Sequence, residues 1–439
     1  MIEINNPKTI RAWAFYDWAN SVYSLVISTA IFPIYYSSQT NTHVRVINGE
    51  EVAFVRFFSL EFINTELYSY VMSLSFLVVA LISPLLSGIA DYTGSKKKFL
   101  KFFCYLGSVS CGMLYFFDPN HLELSMLFAL LASIGFWGSL VFYNAYLPEI
   151  AEPALHDEVS AKGFAYGYIG SSILLIGILA VLMTIGYDYS KYAFIAVALW
   201  WAGFAQVTYR AIPNNVYARK PDNSYIWKGY QELKLVWSEL NDQINLKRYL
   251  RSFFVYSMGV QTVMVMAVLF AKKEIEWGGS GDTGLIASVL IIQFVAVAGA
   301  YGFARLSSRI GNVPVLGIAL IIWIGICVSA YFIQTPLQFY ILAGVVGLVM
   351  GGIQSLSRST YSKMLPETTD HASYFSFYDV VEKLGIVIGT LLFGIIEGVT
   401  ASMRMSSIAM LSFFVVGLIL LLFVKREKSI SPLIQNKTY

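Results

Sequence analysis

The chain repeats one plan twice, at an offset of about 217 residues. Two matching segments, DYTGSKK in the first half and SRIGN in the second, each follow an apolar run, and their glycines, Gly94 and Gly311, are 217 residues apart (311 − 94). The tripeptide Leu-Pro-Glu also recurs, with Pro148 and Pro366 separated by 218 residues (366 − 148). Duplicated apolar runs of this kind are typical of membrane carriers built from two related halves. The repeat therefore favours transport over catalysis.

The composition requires lipid as the solvent for much of the surface. Of the 439 residues, 57% are hydrophobic and only 13% are charged, whereas soluble proteins contain about 25% charged residues. The mean hydropathy is +0.62. The net charge of +3 is too small, and its basic residues too scattered, to favour nucleic-acid binding.

The residues that could carry metal, redox or catalytic chemistry have no suitable spacing. Three cysteines lie in apolar runs without a Cys-x-x-Cys pair, which favours packing roles over metal or redox chemistry: they are Cys104, Cys111 and Cys327. Four histidines fall in predicted loops without metal-ligand spacing: His43, His121, His156 and His371. Neither a nucleophile–base arrangement nor a phosphate-binding loop is evident. We therefore expect no enzyme activity, no metal and no cofactor.

Twelve apolar runs are long enough to cross a bilayer, which takes about 20 residues. They lie near 16–37, 68–90, 101–117, 124–147, 163–186, 192–212, 252–273, 283–305, 313–333, 337–359, 374–397 and 404–424. Six precede a long polar stretch and six follow it. The first run contains Asp17 and Asn20 and lacks an Ala-x-Ala site, so we expect an uncleaved first span and not a signal peptide.

The distribution of Lys and Arg predicts the orientation. With both termini in the cytoplasm, six of the 30 basic residues lie outside and 24 (30 − 6) lie inside. The six are Arg45, Arg56, Lys191, Lys272, Lys273 and Arg404. The reverse topology would invert this ratio. We therefore expect a multi-pass protein of the cytoplasmic (inner or plasma) membrane with both termini in the cytoplasm.

We predict three parts: a six-helix bundle at 1–212, a cytoplasmic linker at 213–251 and a second six-helix bundle at 252–439. In the linker, apolar residues recur at spacings of four and three, which predicts an amphipathic helix: Ile226, Tyr230, Leu233, Trp237, Leu240 and Ile244. We interpret it as a helix on the membrane surface, with partner binding as the alternative. The long first outer loop, 38–67, is predicted to hold two short strand-like or helical pieces around a turn, and its function is not evident.

The twelve spans, the central loop and the Asp-x-x-Gly-x-Lys-Lys turn resemble the major facilitator superfamily. In that family a glycine precedes the aspartate by four residues, but here Ser87 holds that position and the glycine, Gly88, is shifted by one. The second copy has Ser308 in place of the aspartate. The resemblance implies an all-α membrane protein of twelve transmembrane helices in two six-helix bundles. It also implies that the first, fourth, seventh and tenth spans line a central cavity.

Four motifs in order resemble one branch of that superfamily more narrowly. They are WAFYDWANS at 13–21, NAYLPEIA at 144–151, GGIQSLSRS at 351–359 and FSFYDVVEK at 375–383. They are similar to the "unknown major facilitator" branch, which includes the autophagy-related vacuolar amino-acid effluxers. One departure is Glu382, where a small residue is expected. The resemblance implies secondary transport of a small solute by alternating access.

Charged residues inside spans are the first candidates for binding a substrate or a proton, because an acid there costs about 2.5–3.5 kcal/mol on insertion scales. Asp17 can bind an amine or exchange a proton, or alternatively cap the helix start. Asp379 and Lys383, four residues apart, predict an ion pair that either rearranges during transport or stays satisfied. Arg358 either attracts a carboxylate or anchors the tenth span by its positive charge.

Uncharged residues on cavity-lining or neighbouring spans are further candidates, although polar groups in bundles more often join helices by hydrogen bonds. They are Asn20, Trp137, Tyr143, Asn144, Gln261, Thr262, Gln293, Gln354 and Ser355.

The two glycine-containing turns are candidates for gating. By the resemblance, the aspartate of the first turn pairs with basic residues and with the N-terminus of the eleventh helix, which closes the cytoplasmic side. Steering of the topology by the basic residues is the alternative. The gating candidates are Asp91, Gly94, Lys96, Lys97, Arg309 and Gly311.

These features predict a monomeric carrier that moves a small polar solute, with the lipid bilayer and the substrate as its partners. The family favours amino acids, and the opposite charges of Asp17 and Arg358 on facing helices suit a zwitterion. Asp17 and Asp379 motivate a proton-coupling hypothesis. The alternatives are a permease for peptides, muropeptides or drugs, a lipid flippase, and a membrane sensor that retains the carrier fold without transport.

Overall fold

The computed structural model describes residues 3–41, 43–47, 50–214, 224–278, 281–400 and 402–425. Some predictions fall on other residues and lie outside the described ones. They are the turn at 48–49 and the basic residues Arg219, Lys220, Arg426, Lys428 and Lys437.

The first half of the chain is helical except for one small sheet. It contains α1 (Pro7–Val22), a π-helix (Tyr23–Ile31), α2 (Phe32–Thr40), α3 (Asn64–Thr93), α4 (Lys96–Met113), α5 (Leu122–Asn144), α6 (Leu147–Ile150), α7 (His156–Ile185) and α8 (Tyr192–Ala211). Short 3₁₀ helices occur at Leu114–Phe116, Pro119–His121, Pro153–Leu155 and Tyr187–Tyr189.

In the part that the structure describes, the middle and second half contain helices and their connections but no strand. They contain α9 (Tyr225–Asp242), α10 (Ile244–Glu274), α11 (Gly281–Ile310), α12 (Asn312–Phe332), α13 (Pro336–Lys363), α14 (His371–Thr400) and α15 (Met403–Leu422).

Local sequence explains where several helices begin and end. Asn6 caps α1 by accepting from the backbone N–H groups of Lys8 and Thr9, as expected for an asparagine at this position. At the start of α13, Thr335 and Gln338 form a reciprocal capping box, which satisfies backbone donors that lack a partner within the helix. At the other side of the bundle α3 ends at Gly94, whose φ of 70° is a left-handed conformation that favours glycine.

The helix count agrees with the twelve predicted spans. Within the described residues, ten helical segments are long and apolar enough to cross a membrane. Two further helical runs, Pro7–Thr40, which a π-helix interrupts, and α14, coincide with the remaining two predicted spans. Helix α9 has 18 residues but is not among the apolar segments. The chain is therefore an all-α multi-pass membrane protein apart from its small sheet.

The first outer loop forms a three-stranded antiparallel sheet in the order β1-β2-β3. The strands are β1 (His43–Ile47), β2 (Glu50–Phe57) and β3 (Leu60–Ile63). Arg45 pairs with Val52 in register and its guanidinium forms an ion pair with Glu61 at 2.6 Å. Of the two kinds of element predicted here, strands are what the structure has. We call this end of the bundle the sheet end, and the end with Gly94 and Gly311 the turn end.

The helices pack into two bundles that face each other. In the first, α1 packs on α7 and α8, and α4 packs on α5. In the second, α11 packs on α13, and α10 packs on α14 and α15. Between the bundles, α3 contacts α14, and α7 contacts α11 and α13. The described hydrogen bonds and ion pairs between the bundles lie from mid-height to the turn end.

The pair α11–α13 owes its close approach to small residues. A Cβ atom built on Gly351 would lie 2.0 Å from the carbonyl oxygen of Ala296, and one built on Gly347 would lie 2.5 Å from that of Ile292. Such stripes of small residues let helix backbones meet inside a membrane, where van der Waals packing drives association.

Helix α9 lies along α3. Gly229 of α9 meets Gly88 of α3, and a Cβ atom on Gly88 would lie 2.4 Å from the Gly229 carbonyl oxygen. Leu240 is buried, whereas Ile226, Tyr230 and Trp237 are at least half exposed. The helix ends at Asp242, so Ile244 of the predicted apolar stripe belongs to α10.

Candidate functional site: a charged cavity between the two bundles

A cavity of about 230 Å³ lies between the bundles. Helices from both halves line it, and it extends from Asp17 and Arg358 toward the sheet end, past Thr29 on the first helical run and Val289 on α11. This volume is just below the ~300–1,000 Å³ of sites for drug-sized ligands. The cavity thus fits a small solute.

The π-helix Tyr23–Ile31 forms part of the wall. Within it Thr29 donates its hydroxyl proton to the Ser24 carbonyl oxygen at 3.0 Å, five residues earlier. Asp17, Asn20 and Ser24 all face the cavity. Since π-helical turns are uncommon and frequently mark functional positions, the irregular stretch beside these polar groups supports a binding role for this wall.

Asp17 and Arg358 meet across the two bundles. Asp17 Oδ2 lies 3.5 Å from Arg358 Nη1 and accepts a hydrogen bond from the Tyr143 hydroxyl at 2.7 Å. Both charged side chains are almost wholly buried. The pair thus connects α1 of the first bundle with α13 of the second, as the predicted placement on facing helices requires.

Further polar and aromatic groups of the first bundle surround the Arg358 guanidinium. Its Nε and Nη2 donate to the Ser160 hydroxyl and carbonyl oxygens, both at 2.9 Å, and Nη1 donates to Asn144 Oδ1 at 3.2 Å. The ring centroids of Phe164 and Trp13 lie 4.3 and 5.0 Å from the guanidinium carbon, as in cation–π contacts. Arg358 therefore lies inside the protein, and its contacts with both bundles would have to change if they separated.

The uncharged candidates occupy different positions around the cavity. Gln354 accepts a hydrogen bond from the Tyr168 hydroxyl at 2.5 Å, across the two bundles. Gln261 donates to Glu382 at 2.9 Å. Asn20 is buried, and its Nδ2 has no hydrogen-bond partner among the described residues. A buried donor of this kind is costly unless something satisfies it, so Asn20 is well placed to donate to a solute.

A second charged group lies on α14, and we call Asp379, Glu382 and Lys383 the α14 charge cluster. Lys383 Nζ is 2.5 Å from Asp379 Oδ1 and 3.1 Å from Glu382 Oε2. The same ammonium lies 4.0 Å from the ring centroid of Trp137 in the first bundle. The predicted Asp379–Lys383 pair is thus present in this structure, and Glu382, which the sequence marks as a departure from its family, joins it and lines the cavity.

At the turn end, Asp91 binds the N-terminus of α14. Its carboxylate accepts from the backbone N–H groups of Ser373 at 2.7 Å and Ala372 at 3.2 Å, where the helix dipole favours a negative charge. Lys96 lies 3.5 Å from Asp91 and also pairs with Glu149. Asp91 and Lys96 therefore lie together at the contact that the family resemblance implies.

The remaining residues of the two turns differ in their surroundings. Lys97 donates to the Ile212 carbonyl oxygen at 3.1 Å, within the first bundle. Gly311 has a φ of 88° and connects α11 to α12. Arg309 is exposed, with no hydrogen bond or ion pair to any described residue. The structure thus does not bring Arg309 into the contact between the bundles.

The second contact between the bundles at the turn end centres on Asp157 at the start of α7. Its carboxylate accepts from Ser307 at 2.8 Å and Asn312 at 2.7 Å, and it lies 2.6 Å from Lys363 Nζ. The sequence does not predict this group of residues. An available signal was an acid a few residues before the fifth predicted span (163–186), together with the loss of the acid from the second copy of the turn, at Ser308.

The loop before α14 adds a titratable carboxyl group at the turn end. Burial, together with the carboxylates of Asp91, Glu232 and Glu239, raises the pKa of Asp370 to about 6. Asp370 thus changes charge in a mildly acidic range, beside the Asp91 contact.

The fold is the one expected of the major facilitator class, and comparison with solved structures gives the same fold. The chain is similar to the transporter FucP in its outward conformation, with a TM-score of 0.68, 13% identity, and coverage of 96% of this chain and 99% of that one. It is also similar to a bacterial homologue of the iron transporter ferroportin in an outward-facing state, with a TM-score of 0.64, 12% identity, and coverage of 94% and 98%. At these identities the likeness shows the fold alone.

The chain belongs to the family described as "Vacuole effluxer Atg22 like", whose model matches residues 5–432. It is 32% identical to "Uncharacterized MFS-type transporter YxiO" of Bacillus subtilis (strain 168), over 96% of each chain. It is 23% identical to "Autophagy-related protein 22" of Yarrowia lipolytica, over 85% of this chain and 78% of that relative. The predicted resemblance to this superfamily and branch is confirmed.

Proposed function

We propose that this transporter moves small polar solutes, and amino acids in particular, by alternating access. The observation that carries the proposal is the buried pair of Asp17 and Arg358, which come from facing bundles at one end of the cavity. A zwitterion presents a carboxylate and an ammonium group a short distance apart, so it matches such a pair. Arg forms paired hydrogen bonds with carboxylates, and Asp17 accepts from the ammonium group.

The same pair offers a link between binding and movement of the bundles. Without solute, Asp17 and Arg358 contact each other across the bundles. A zwitterion that contacts both groups replaces this direct contact by one through the solute. The energy of closing then depends on whether a matching solute is present, as a carrier requires. Asn20, Asn144, Gln261 and Gln354 supply the uncharged part of the proposed binding site, and Trp137 one aromatic wall.

The size of the cavity and the family favour amino acids over larger solutes. A cavity of about 230 Å³ is small for a peptide or a muropeptide. The family description names a vacuole effluxer, and we carry only the small-solute class from it to this chain. A membrane sensor without transport is the rival from another class, and it predicts no solute movement in the experiment below.

We further propose that the turn end faces the cytoplasm, so that the cavity faces outward in this structure. The support is the predicted excess of Lys and Arg on that side and the contacts of Asp91 and Asp157 that hold the bundles together there.

We also propose that the protein is a monomer in the cell membrane, with bundles at 1–212 and 252–439 joined by a linker at 213–251. Asp91 and Lys96, which lie at the turn-end contact between the bundles, are our main gating candidates, and Gly94, Lys97, Arg309 and Gly311 are proposed to act through the two turns that contain them.

The test is counterflow of a labelled amino-acid mixture into liposomes that contain the purified protein and unlabelled amino acids. We expect the unmodified protein to accumulate labelled amino acids. Accumulation by Asp17→Asn should be lower by roughly tenfold or more, because Arg358 then lacks its buried partner. The matched control is Asp242→Asn, the same change at an exposed position on α9. Absence of accumulation across the whole mixture would exclude amino acids as substrates.

Proton coupling is the second part of the proposal. Asp17 and Asp379 are buried acids beside the cavity and are its candidate carriers, and Lys383 is the ion-pair partner that a proton on Asp379 would release. We expect an imposed pH gradient to change the accumulation of a neutral amino acid. Accumulation that is indifferent to the gradient would refute the coupling and leave the substrate proposal intact.

A further inference from the structure

The cavity and the α14 charge cluster together contain more acidic than basic side chains. Arg358 offsets Asp17, and Lys383 offsets one of the two carboxylates beside it, Asp379 and Glu382. Among the described residues here, three acids thus face two bases, which leaves one net negative charge. In a membrane an uncompensated charge is costly, and the cost rises when the cavity closes and loses its water.

The uncompensated charge lies on the α14 charge cluster. Asp17 already contacts Arg358 and the Tyr143 hydroxyl. In the cluster, Asp379 Oδ2 is buried without a hydrogen-bond partner among the described residues, and Glu382 borders the cavity. One lysine cannot neutralise both carboxylates. The cluster is therefore the place where an additional positive charge is stabilised most.

The groups around the cluster do not supply that charge. Among the described residues, the charged or titratable groups that line the cavity with Glu382 are Asp17, Tyr168, Tyr256, Arg358 and Tyr378. On the packed helices α3 and α15, Asp91 and Arg404 pair with Lys96 and Glu274. The cation among the cavity-lining groups, Arg358, pairs with Asp17. The charge must therefore come from a proton or from the solute.

We propose that the transporter closes only around one added positive charge, so that neutral amino acids travel with one proton and cationic amino acids travel with none. A neutral zwitterion matches Asp17 and Arg358, and a proton then neutralises Glu382 or Asp379. A cationic amino acid brings the same charge on its side chain. This inference rests on the proposed function, and it assigns to Glu382 a role in charge selection that its family does not predict.

The cavity wall next to Glu382 suits an organic cation as well as a proton. Tyr256, Phe253 and Tyr378 line the cavity near it, and the Phe253 and Tyr378 rings stack with centroids 4.3 Å apart. Aromatic faces attract ammonium and guanidinium groups. The Trp137 face already holds Lys383 at 4.0 Å, so the remaining rings are those available to the side chain of a cationic solute.

The experiment compares labelled leucine and labelled lysine in the same proteoliposomes, with the membrane potential held at zero. An inward proton gradient should raise leucine accumulation several-fold and leave lysine accumulation unchanged. In Glu382→Gln the ratio of leucine accumulation with and without the gradient should fall to about one, and lysine accumulation should fall by roughly tenfold or more. Glu382→Asp should restore the response of leucine to the gradient.

The matched control is Glu397→Gln, on the same helix but in an exposed pair with Lys273, and it should behave as the unmodified protein does. Size-exclusion profiles establish that each variant is folded. Lysine that responds to the proton gradient as leucine does would overturn the charge rule alone. So would a leucine response that survives Glu382→Gln, or one that follows a sodium gradient in place of the proton gradient. Absence of counterflow for both amino acids would overturn the substrate proposal, and the charge rule with it.

Discussion

Arg358 makes polar contacts with three helices of the opposite bundle. From sequence it is either an anchor at the end of a span or a ligand for carboxylates, and local pattern does not separate these roles. The partners that distinguish them are Asp17, Asn144 and Ser160, which are 341, 214 and 198 residues away. Such long-range contacts depend on how two bundles dock. The charge and its depth in a span could be predicted, but its partners could not.

At the scale of single residues, Asp370 predicts how the free energy of unfolding depends on pH. Its pKa is raised to about 6 from an unfolded value of about 3.9. Above about pH 6 the ionised carboxylate therefore lowers the stability of the folded state. This loss of stability decreases as the pH falls and is absent below about pH 3.9. We expect Asp370→Asn to raise the free energy of unfolding at about pH 7.5 by ~1 kcal/mol, since partial exposure screens the effect. Near pH 4 the variant and the unmodified protein should be equally stable.

Thermal unfolding in detergent at the two pH values measures this difference. Glu367→Gln, in the same loop, is the control for a lost carboxylate. An equal gain from Asp370→Asn at both pH values would mean that the benefit is not electrostatic.

At the scale of elements, hydropathy is sufficient to predict the spans, because a helix of about twenty consecutive apolar residues matches the thickness of the bilayer. It was not sufficient for the sheet β1-β2-β3, whose strands are short and whose pairing depends on a turn. The π-helix Tyr23–Ile31 was not predicted either, since its residues are ordinary for a span and only its hydrogen bonds differ. The sequence shows glycines at 347, 351 and 352 in the tenth span, but it does not indicate that α11 is the helix against which they pack.

Gly351→Ala tests that pairing. The added methyl group would lie 2.0 Å from the Ala296 carbonyl oxygen, so the helices must separate, at a cost of about 1–3 kcal/mol for overpacking. The control is Gly325→Ala on α12, where a Cβ atom meets no neighbour within 4 Å. We expect a lower melting temperature for Gly351→Ala only. Equal melting temperatures for the two variants would show that α11 and α13 adapt without loss.

At the scale of the whole molecule, the contacts of Asp91 and Asp157 hold the bundles together at the turn end. The family resemblance implied the Asp91 contact, because one motif marks it. The Asp157 contact joins residues 150 to 206 positions apart and has no motif of its own, so the sequence did not reveal it.

Asp157→Asn should therefore favour separation of the bundles at the turn end. Its carboxylate binds Lys363 at 2.6 Å, and loss of a partly buried pair leaves a lysine with only neutral ligands. We expect the cavity to open less often at the sheet end. The measurement is labelling of Ser24→Cys, on the cavity wall, by a membrane-impermeant thiol reagent applied from that side; the three native cysteines are buried.

The control is Asp188→Asn, an exposed acid at the sheet end, which should leave labelling unchanged. Labelling that stays the same in Asp157→Asn would mean that Asp91 alone keeps the turn end closed.

The two contacts also settle which surface each half can recognise. Both central acids, Asp91 and Asp157, belong to the first half, whereas their donors at Ser373, Asn312 and Lys363 belong to the second. Two exact copies would present identical faces, and each copy could pair with itself as in a symmetric homodimer. Because the two acids lie in one half and their donors in the other, two copies of the same half would lack both contacts, whereas unlike halves form them. A chain cut between its halves should thus reassemble as a heterodimer and not as two homodimers.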